Sequence, residues 1–412
     1  MFALITSRRF GPLFATQFLG AFNDNLFKTA LIFLVAFHLS ANDPVAAATL
    51  ATVAAGVFIV PFVLFSGVAG EIADARDKAA IARLVKVAEI AFMALGAVAL
   101  AIESVPLALV TVFLMGAHST IFGPIKYAIL PQHLGASELL AGTGLVEGAT
   151  FVAILLGQIA GGLLPLGWAG PVAVVVAVVG WTMSRLIPPA PPVSLVPIDW
   201  NPLTASRRAL GEALGNRSLA IATVCISWFW ALGAVYTSQF VPLARNDLGG
   251  SEGVATLFLA AFSIGVAVGS AGVSKLLGGR ISARLSPWAG LVMAAAGIDL
   301  WFAQGALAGQ AGDIATFLSD ARGWRVLADL FVLAVAGGMF SVPLYGILQT
   351  ATDPGSRSRA IAANNIVNAG FQVAAVLGIG VAIGRGVPVP AALVAAGLTV
   401  VLLIPLLRLL PR

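Results

Sequence analysis

Long apolar stretches alternate with short polar segments along almost the whole chain. About twelve of these stretches reach the roughly 20 residues that one bilayer-crossing helix needs. They lie near residues 11–38, 46–69, 80–102, 105–125, 138–164, 168–187, 218–243, 253–276, 286–308, 326–350, 358–384 and 388–408. The pattern therefore predicts an all-α membrane protein with twelve transmembrane helices.

Composition supports this prediction. Of the 412 residues, 59% are hydrophobic and 10% are charged, whereas soluble domains carry roughly 25% charged residues. The first apolar run is too long for the core of a signal peptide, so we expect it to remain as the first span. Cys225 is the only cysteine, which excludes a disulfide framework and a thiolate metal site.

The basic residues are distributed unevenly between the two sides of the membrane. Seventeen of the 23 lysines and arginines lie at the chain ends or in the even-to-odd loops, four lie in the opposite loops, and two lie within spans. This positive-inside bias predicts that both termini are cytoplasmic. The same bias explains the net charge of +5, so the basic composition does not require a nucleic-acid partner.

A proline-rich linker separates six spans from six. Its second part, "TASRRALGEALGNR", predicts a short amphipathic helix on the membrane surface. The halves share the pattern F-x4-Y-x-I-L at 122–130 and 340–348, which indicates duplication. We therefore predict pseudo-symmetric six-helix bundles at 1–187 and 218–412, joined by a cytoplasmic linker at 188–217. Two such repeats resemble the plan of major facilitator transporters.

The loop between spans 2 and 3 reads "GEIADARDK". Its Gly70, Asp74 and Lys78 resemble the facilitator pattern G-x-x-x-D-R-x-G-R-R, although the following glycine is missing. The resemblance implies a gating role at the cytoplasmic face. The alternative is a loop charged for topology alone.

Span 1 carries four polar residues near its middle: Asn23, Asp24, Asn25 and Lys28. A charge at the span centre is unfavourable by roughly 2.5–3.5 kcal/mol. Asp24 and Lys28 are four residues apart and share one helix face, and the amides flank it. This pattern favours a cavity between the bundles, with a local break in the helix. The alternative is a structural ion pair to a neighbouring span.

Further charged residues within spans include Lys86, Glu89, Glu147 and Asp299. Nothing in the sequence points to a partner for Asp299. Lys86 and Glu89 are three residues apart in span 3, which favours a structural pair, with snorkelling to the interface as the alternative. Glu147 lies midway along span 5 between glycines that permit close helix packing. It is a candidate for binding a cationic group or carrying a proton.

Other polar residues extend the candidate site. Lys126 and Tyr127 end span 4, where Lys126 either meets a phosphate or serves as a cytoplasmic anchor. Amide and hydroxyl side chains of spans 7 and 11 either bind substrate or hydrogen-bond between helices. These are Asn364, Asn365, Asn368, Tyr236 and Gln239.

Three segments together resemble the bacterial lysophospholipid transporter (LplT) family. They are "QFLGAFNDNLFKTALIF", "GPIKYAILPQHL" and "GLVEGATFVAILLGQIAGG". The resemblance implies site roles for Asp24, Asn25, Lys126, Tyr127 and Glu147, whereas Lys28 departs from the family pattern. It also implies that lysophospholipids such as lysophosphatidylethanolamine are moved across the bacterial inner membrane by alternating access. An acyltransferase on the cytoplasmic side would then re-acylate them.

Two alternatives stay open at this point. One is a proton-coupled exporter of small amphiphiles that uses Asp24 or Glu147 as the proton carrier. The other is a non-transporting scaffold for an acyltransferase. The sequence has no Walker loop, and His118 and His133 have no metal-site spacing. We therefore expect no enzyme activity, no cofactor and no metal, and we expect a monomer.

Overall fold

The computed structural model describes residues 2–35, 44–193 and 197–411. Twelve principal helices, α1 to α12 in chain order, fill most of this described chain. Their bounds are Gly11–Phe33, Pro44–Ala75, Lys78–Ala101, Val105–Ala128, Ala136–Leu163, Leu166–Ser184, Arg217–Pro242, Glu252–Leu276, Ser286–Ala306, Ala321–Thr350, Arg357–Gly384 and Val389–Leu398.

Shorter helical segments connect or extend these helices. Pro202–Gly215, between α6 and α7, is called the linker helix below. The remaining segments are Phe2–Ile5, Leu130–His133, a π-helical turn at Leu243–Asp247, a 3-10 turn at Ala283–Leu285, Ile314–Ser319, a 3-10 turn at Thr399–Leu403 and Ile404–Leu407. The described residues form no β-strand.

Eleven helices in the described part of the chain are long and apolar enough to cross a membrane. Helix α1 is not among them, because four polar residues interrupt its apolar run. Its 23 residues nevertheless span about 34 Å at about 1.5 Å per residue, which matches a bilayer core. The predicted all-α membrane fold is confirmed.

The helix ends agree with the predicted spans to within several residues, apart from the last span. Helix α12 ends at Leu398, and the rest of the predicted span up to 408 contains the 3-10 turn Thr399–Leu403 and the helix Ile404–Leu407. The predicted end of the first span at residue 38 lies outside the described residues.

The largest extension is in α2, which continues past the predicted residue 69 to Ala75. The added turns contain Glu71 and Asp74, both buried. Their carboxylates contact Arg208 and the backbone of Ser358. Partners from distant segments therefore stabilise a polar extension that hydropathy does not predict.

The described chain forms two compact units, each built from three stretches. Unit 1 comprises Met1–Gly142, Val152–Asn216 and Leu348–Ile366, and unit 2 comprises Thr143–Phe151, Arg217–Ile347 and Val367–Arg412. Helices α5 and α11 contribute to both units. The division into bundles at 1–187 and 218–412 stays a prediction.

The apolar core of unit 1 is formed mainly by α1, α3, α4 and α6. Helix α6 packs on α1 and α3, and α2 packs on α4. Phe27, Leu31, Met93 and Met115 are essentially inaccessible to solvent within this core. Tight packing here fixes the mutual positions of α1, α3 and α4, which carry the charged residues described below.

The interior of unit 2 is rich in aromatic side chains. Phe151 stacks on Trp230, and its ring also meets Phe229 and Phe262 edge to face. Tyr236 also stacks on Phe262. A narrow apolar pocket lies beside this cluster, lined by Phe229, Leu232, Phe262, Met293 and Leu333.

The linker helix lies where the sequence predicts a short amphipathic helix. The side chain of Asn201 accepts the backbone N–H of Leu203 at 3.0 Å and caps its first turn. Its buried face is an alanine stripe, defined as Ala205, Ala209 and Ala213, which packs on α2 and on the beginning of α11. This face therefore contacts protein rather than membrane.

Candidate functional site

The polar residues of α1 lie inside unit 1 on an unbroken helix. Asn23, Asp24 and Asn25 are buried, and Lys28 is half-buried. The predicted break in this helix is wrong, because the side chains find partners that leave the backbone intact. Asn25 Nδ2 donates to the carbonyl of Ala21 one turn earlier, at 2.8 Å.

Asn23 links α1 to two other helices. Its Nδ2 donates to Glu89 Oε1 of α3 at 3.2 Å and to the carbonyl oxygen of Ala173 of α6 at 3.1 Å. Because Asn23 bridges these helices, it fixes the rotation of α1. Asp24, the next residue, consequently points towards α4.

Glu89 is the centre of a buried charged cluster. Its Oε2 lies 2.5 Å from Lys86 Nζ and 3.1 Å from His118 Nε2. All three side chains are almost completely inaccessible to solvent. The absence of a side chain at Gly20 makes room for the ammonium group, since a Cβ there would lie 2.5 Å from Lys86 Nζ. Lys86 therefore forms the buried structural pair and does not snorkel.

Asp24 contacts this cluster through α4. Its Oδ2 accepts a hydrogen bond from Ser119 Oγ at 2.7 Å, and that hydroxyl lies 3.4 Å from His118 Nδ1. Asp24 Oδ1 is buried and has no hydrogen-bond partner among the described residues. A buried carboxylate oxygen in this state is unfavourable unless a ligand or water satisfies it.

Lys28 stands one helical turn from Asp24 and attracts it electrostatically. Its Nζ lies 4.2 Å from the centroid of the Phe58 ring of α2, a cation–π contact. This contact leaves the three N–H donors of the ammonium available for stronger acceptors. Asp24 and Lys28 thus present both signs of charge on one face of α1.

Sequence reasoning missed Ser119 and His118. Ser119 is 95 residues from Asp24, and no local spacing connects them. One available signal was His118 itself, because an ionisable residue in the middle of an apolar span is rarely without a role.

The remaining unit 1 candidates lie on α4 and at the beginning of α11. Lys126 Nζ is 5.0 Å from the centroid of the buried Tyr127 ring. Asn364 is completely buried, and its amide has no hydrogen-bond partner in the described part of the chain. Asn365 Nδ2 lies close to Gly123, since a Cβ built at Gly123 would be 2.9 Å from it. Helix α4 continues past Pro124 and ends at Ala128.

Unit 2 contains the other four candidates. Glu147 is completely buried where α5 meets α8, and a Cβ at the adjacent Gly148 would lie 3.0 Å from the Cα of Ala267. This confirms the predicted close packing. The remaining three are engaged by neighbouring groups. Tyr236 donates to the Leu393 carbonyl at 3.3 Å, Asn368 Oδ1 accepts from Ser227 at 2.6 Å, and Gln239 donates to Ser238 at 3.1 Å.

Gly70 and Asp74, predicted in the loop between spans 2 and 3, instead lie in the last turns of α2, where they meet the first turn of α11. The Asp74 carboxylate accepts the backbone N–H groups of Ser358 at 2.9 Å and Arg359 at 3.2 Å. A carboxylate in this position satisfies orphan donors and complements the positive end of the helix dipole. A Cβ at Gly70 would lie 2.9 Å from the Cα of Arg359.

Lys78 differs from these two residues. It is the first residue of α3, its side chain is buried, and its backbone N–H donates to the Ala190 carbonyl at 3.0 Å. It attracts Asp74 electrostatically. The contact with α11 is therefore made by Gly70 and Asp74, while Lys78 lies beside them.

Residues 13–378 match the family model described as Major Facilitator Superfamily. The chain belongs to the Major Facilitator Superfamily. It is therefore a multi-pass membrane protein, as the helices of the described residues indicate.

Curated relatives of this superfamily member are named "Lysophospholipid transporter LplT". The protein from Serratia proteamaculans is 26% identical over 357 residues, covering 84% of this chain and 81% of its own length. The protein from Escherichia coli O1:K1 is 26% identical over 398 residues, covering 93% and 91%. The protein from Enterobacter sp. is 28% identical over 348 residues, covering 81% and 78%.

Solved structures of other superfamily members share the fold. The human organic anion transporter MFSD10 superimposes with a TM-score of 0.73 at 14% identity, covering 97% of this chain and 99% of its own. The Escherichia coli fucose:proton symporter FucP also gives 0.73 at 14% identity, covering 97% of both chains. At this level of identity, the likeness concerns the fold alone.

Proposed function

We propose that this protein is a secondary transporter that moves lysophospholipids across the bacterial inner membrane to the cytoplasmic leaflet. The observation that carries the proposal is the pair Asp24 and Lys28, which place a buried carboxylate and an ammonium on one face of α1. The names of the curated relatives support the substrate class.

The chemistry of the pair matches a zwitterionic lipid head group. The ammonium of Lys28 is suited to the phosphate, and the free Oδ1 of Asp24 is suited to a cationic amine. Lys126 and Glu147 would provide a second basic and a second acidic group during passage. The single acyl chain would remain among apolar surfaces while the head group moves.

The contact between Asp74 and α11 would act as the cytoplasmic gate. Alternating access requires that a closed end of the transporter opens, and the two hydrogen bonds to Asp74 hold the end of α2 against the beginning of α11. We infer that they break when the head group is released. A cytoplasmic acyltransferase would then consume the lysolipid.

The test is uptake of labelled lysophosphatidylethanolamine into proteoliposomes that contain the purified chain. Asp24→Asn removes the negative charge and Lys28→Ala removes the positive one, and we expect each to reduce uptake at least tenfold. Asp313→Asn and Lys275→Ala make the same chemical changes at exposed positions and should transport like the parent.

Two outcomes would reject the proposal. If both Asp24→Asn and Lys28→Ala transport normally, the assigned site is wrong. If the parent chain transports nothing by itself, a scaffold for an acyltransferase becomes the better explanation.

A proton-coupled exporter of small amphiphiles is the second candidate. The contacts from Asp24 through Ser119 and His118 to Glu89 favour it, because they join ionisable groups at separations of 2.7, 3.4 and 3.1 Å. An uncoupler that dissipates the proton gradient should stop such an exporter. Lysolipid movement that persists under the uncoupler would exclude it.

A further inference from the structure

The linker helix presents an apolar and basic face directed away from its alanine stripe. At about 100° per residue, Leu203, Arg207 and Leu214 lie about 120–160° from the centre of that stripe. The side chain of Leu203 is 78% exposed, and Trp200, which precedes the helix, is 70% exposed. We call these four residues the outer face.

The position of the linker helix along α2 indicates what surrounds the outer face. The helix touches α2 at Gly67, where a Cβ would lie 2.6 Å from the Ala205 carbonyl carbon. Gly67 is still inside the apolar span Thr52–Ala75. Leu64, one turn earlier, is 41% exposed, as expected of a lipid-facing residue. The linker helix therefore lies at the depth where acyl chains give way to head groups.

The charges of the linker helix complement an anionic surface. Arg207 is exposed and makes no ion pair with any described residue. The neighbouring Arg208 instead binds Glu71 at 2.7 Å and Asp199 at 3.1 Å. Indole side chains favour the interfacial layer of a bilayer, and an arginine near an anionic leaflet is attracted to the lipid phosphates.

We propose that the outer face binds the anionic lipid surface of the leaflet on the linker side. Leu203, Leu214 and Trp200 enter the interfacial layer, and Arg207 contacts lipid phosphates. The buried alanine stripe packs on α2, and the outer face is directed towards lipid. This binding is independent of which substrate the protein transports, so the two proposals can fail separately.

The test places a spin label at Leu203→Cys in the full chain in vesicles. Cys225 is completely buried, so the introduced thiol reacts selectively. Gly215→Cys is the control, because it is exposed on the same helix, has open space around it and lies about 80–120° from the outer-face residues of the helix. Oxygen partitions into the bilayer and a nickel chelate stays in water, so their relaxation effects report the depth of the label.

In vesicles with about 30% phosphatidylglycerol, we expect the oxygen-to-nickel accessibility ratio at position 203 to exceed that at 215 several-fold. Pure phosphatidylcholine, or the added substitution Arg207→Glu, should reduce the ratio at 203, whereas Arg207→Lys should preserve it. Equal water exposure at both positions in anionic vesicles would overturn the proposal. Shielding of position 203 from both reagents would also overturn it, since that result indicates a protein partner.

Discussion

Units 1 and 2 both bury polar side chains in a membrane, but they stabilise them differently. In unit 1, Glu89 is surrounded by Lys86, His118 and Asn23. In unit 2, the interior hydrogen bonds include neutral pairs, such as Ser227 with Asn368 and the Trp230 indole with the Tyr345 hydroxyl, and the carboxylate of Glu147 is also buried there. The buried cluster of contacting charged groups described above lies in unit 1, and aromatic packing characterises unit 2.

This difference has an energetic consequence. A buried ion needs compensation from several helices, so the charges of unit 1 depend on one another. A neutral interhelical hydrogen bond in a membrane contributes less, about 0.6 kcal/mol on average. Removing one partner should therefore destabilise unit 1 more than unit 2.

The largest effect is expected for Glu89→Ala. It leaves Lys86 buried without its carboxylate, which should lower the free energy of unfolding by about 3–5 kcal/mol. Thermal unfolding in detergent measures the change. The control is Arg9→Ala, which breaks an ion pair to Glu138 whose side chains are 46% and 32% exposed, keeps the hydrogen bond from the Gly135 N–H to Glu138, and should change stability by about 0–1 kcal/mol. Equal effects of both substitutions would contradict the comparison.

A smaller effect is expected for Ser227→Ala in unit 2. It removes the 2.6 Å hydrogen bond to Asn368, and the loss should stay between about 0.6 and 1.7 kcal/mol. Ser184→Ala removes a buried hydroxyl that bonds only to its own helix, at the Trp181 carbonyl, and serves as the control. A loss as large as that of Glu89→Ala would show that neutral bonds are equally important here.

The smallest effect concerns a charge outside the membrane. Hydrogen bonds from the Thr204 hydroxyl and the Asn201 N–H, with the nearby Arg208, lower the pKa of Asp199. Because the folded-state pKa is depressed, this stabilisation is present above the ordinary pKa of about 4 and is lost as pH falls through the folded value. The protection factors of the linker-helix amides, which remove the intrinsic pH dependence of exchange, should fall at such low pH. Asp199→Asn should remove the pH dependence, and an unchanged profile would refute the assignment.

The helices could be predicted closely from the sequence, because each span is a local run of apolar residues. The position of Asp24 in the middle of span 1 follows from the same pattern, and the cavity expected beside it stays a prediction. Its partner Ser119 could not be predicted, since only the packing of α1 on α4 brings them together. The break expected in α1 was wrong because the Asn23 Nδ2 donates to acceptors on α3 and α6, and no pattern within span 1 reveals those acceptors.

The partners of Asn23 also bear on how the protein is made. They lie 66 and 150 residues further along the chain, so they are synthesised well after α1 has left the ribosome. Helix α1, which is not among the eleven apolar spans, is thus synthesised before these acceptors, and the Asn23 amide lacks them until α6 is complete. Biogenesis of this protein should accordingly include an interval in which α1 is held by the insertion machinery or by water, and truncation before α6 should leave α1 poorly integrated.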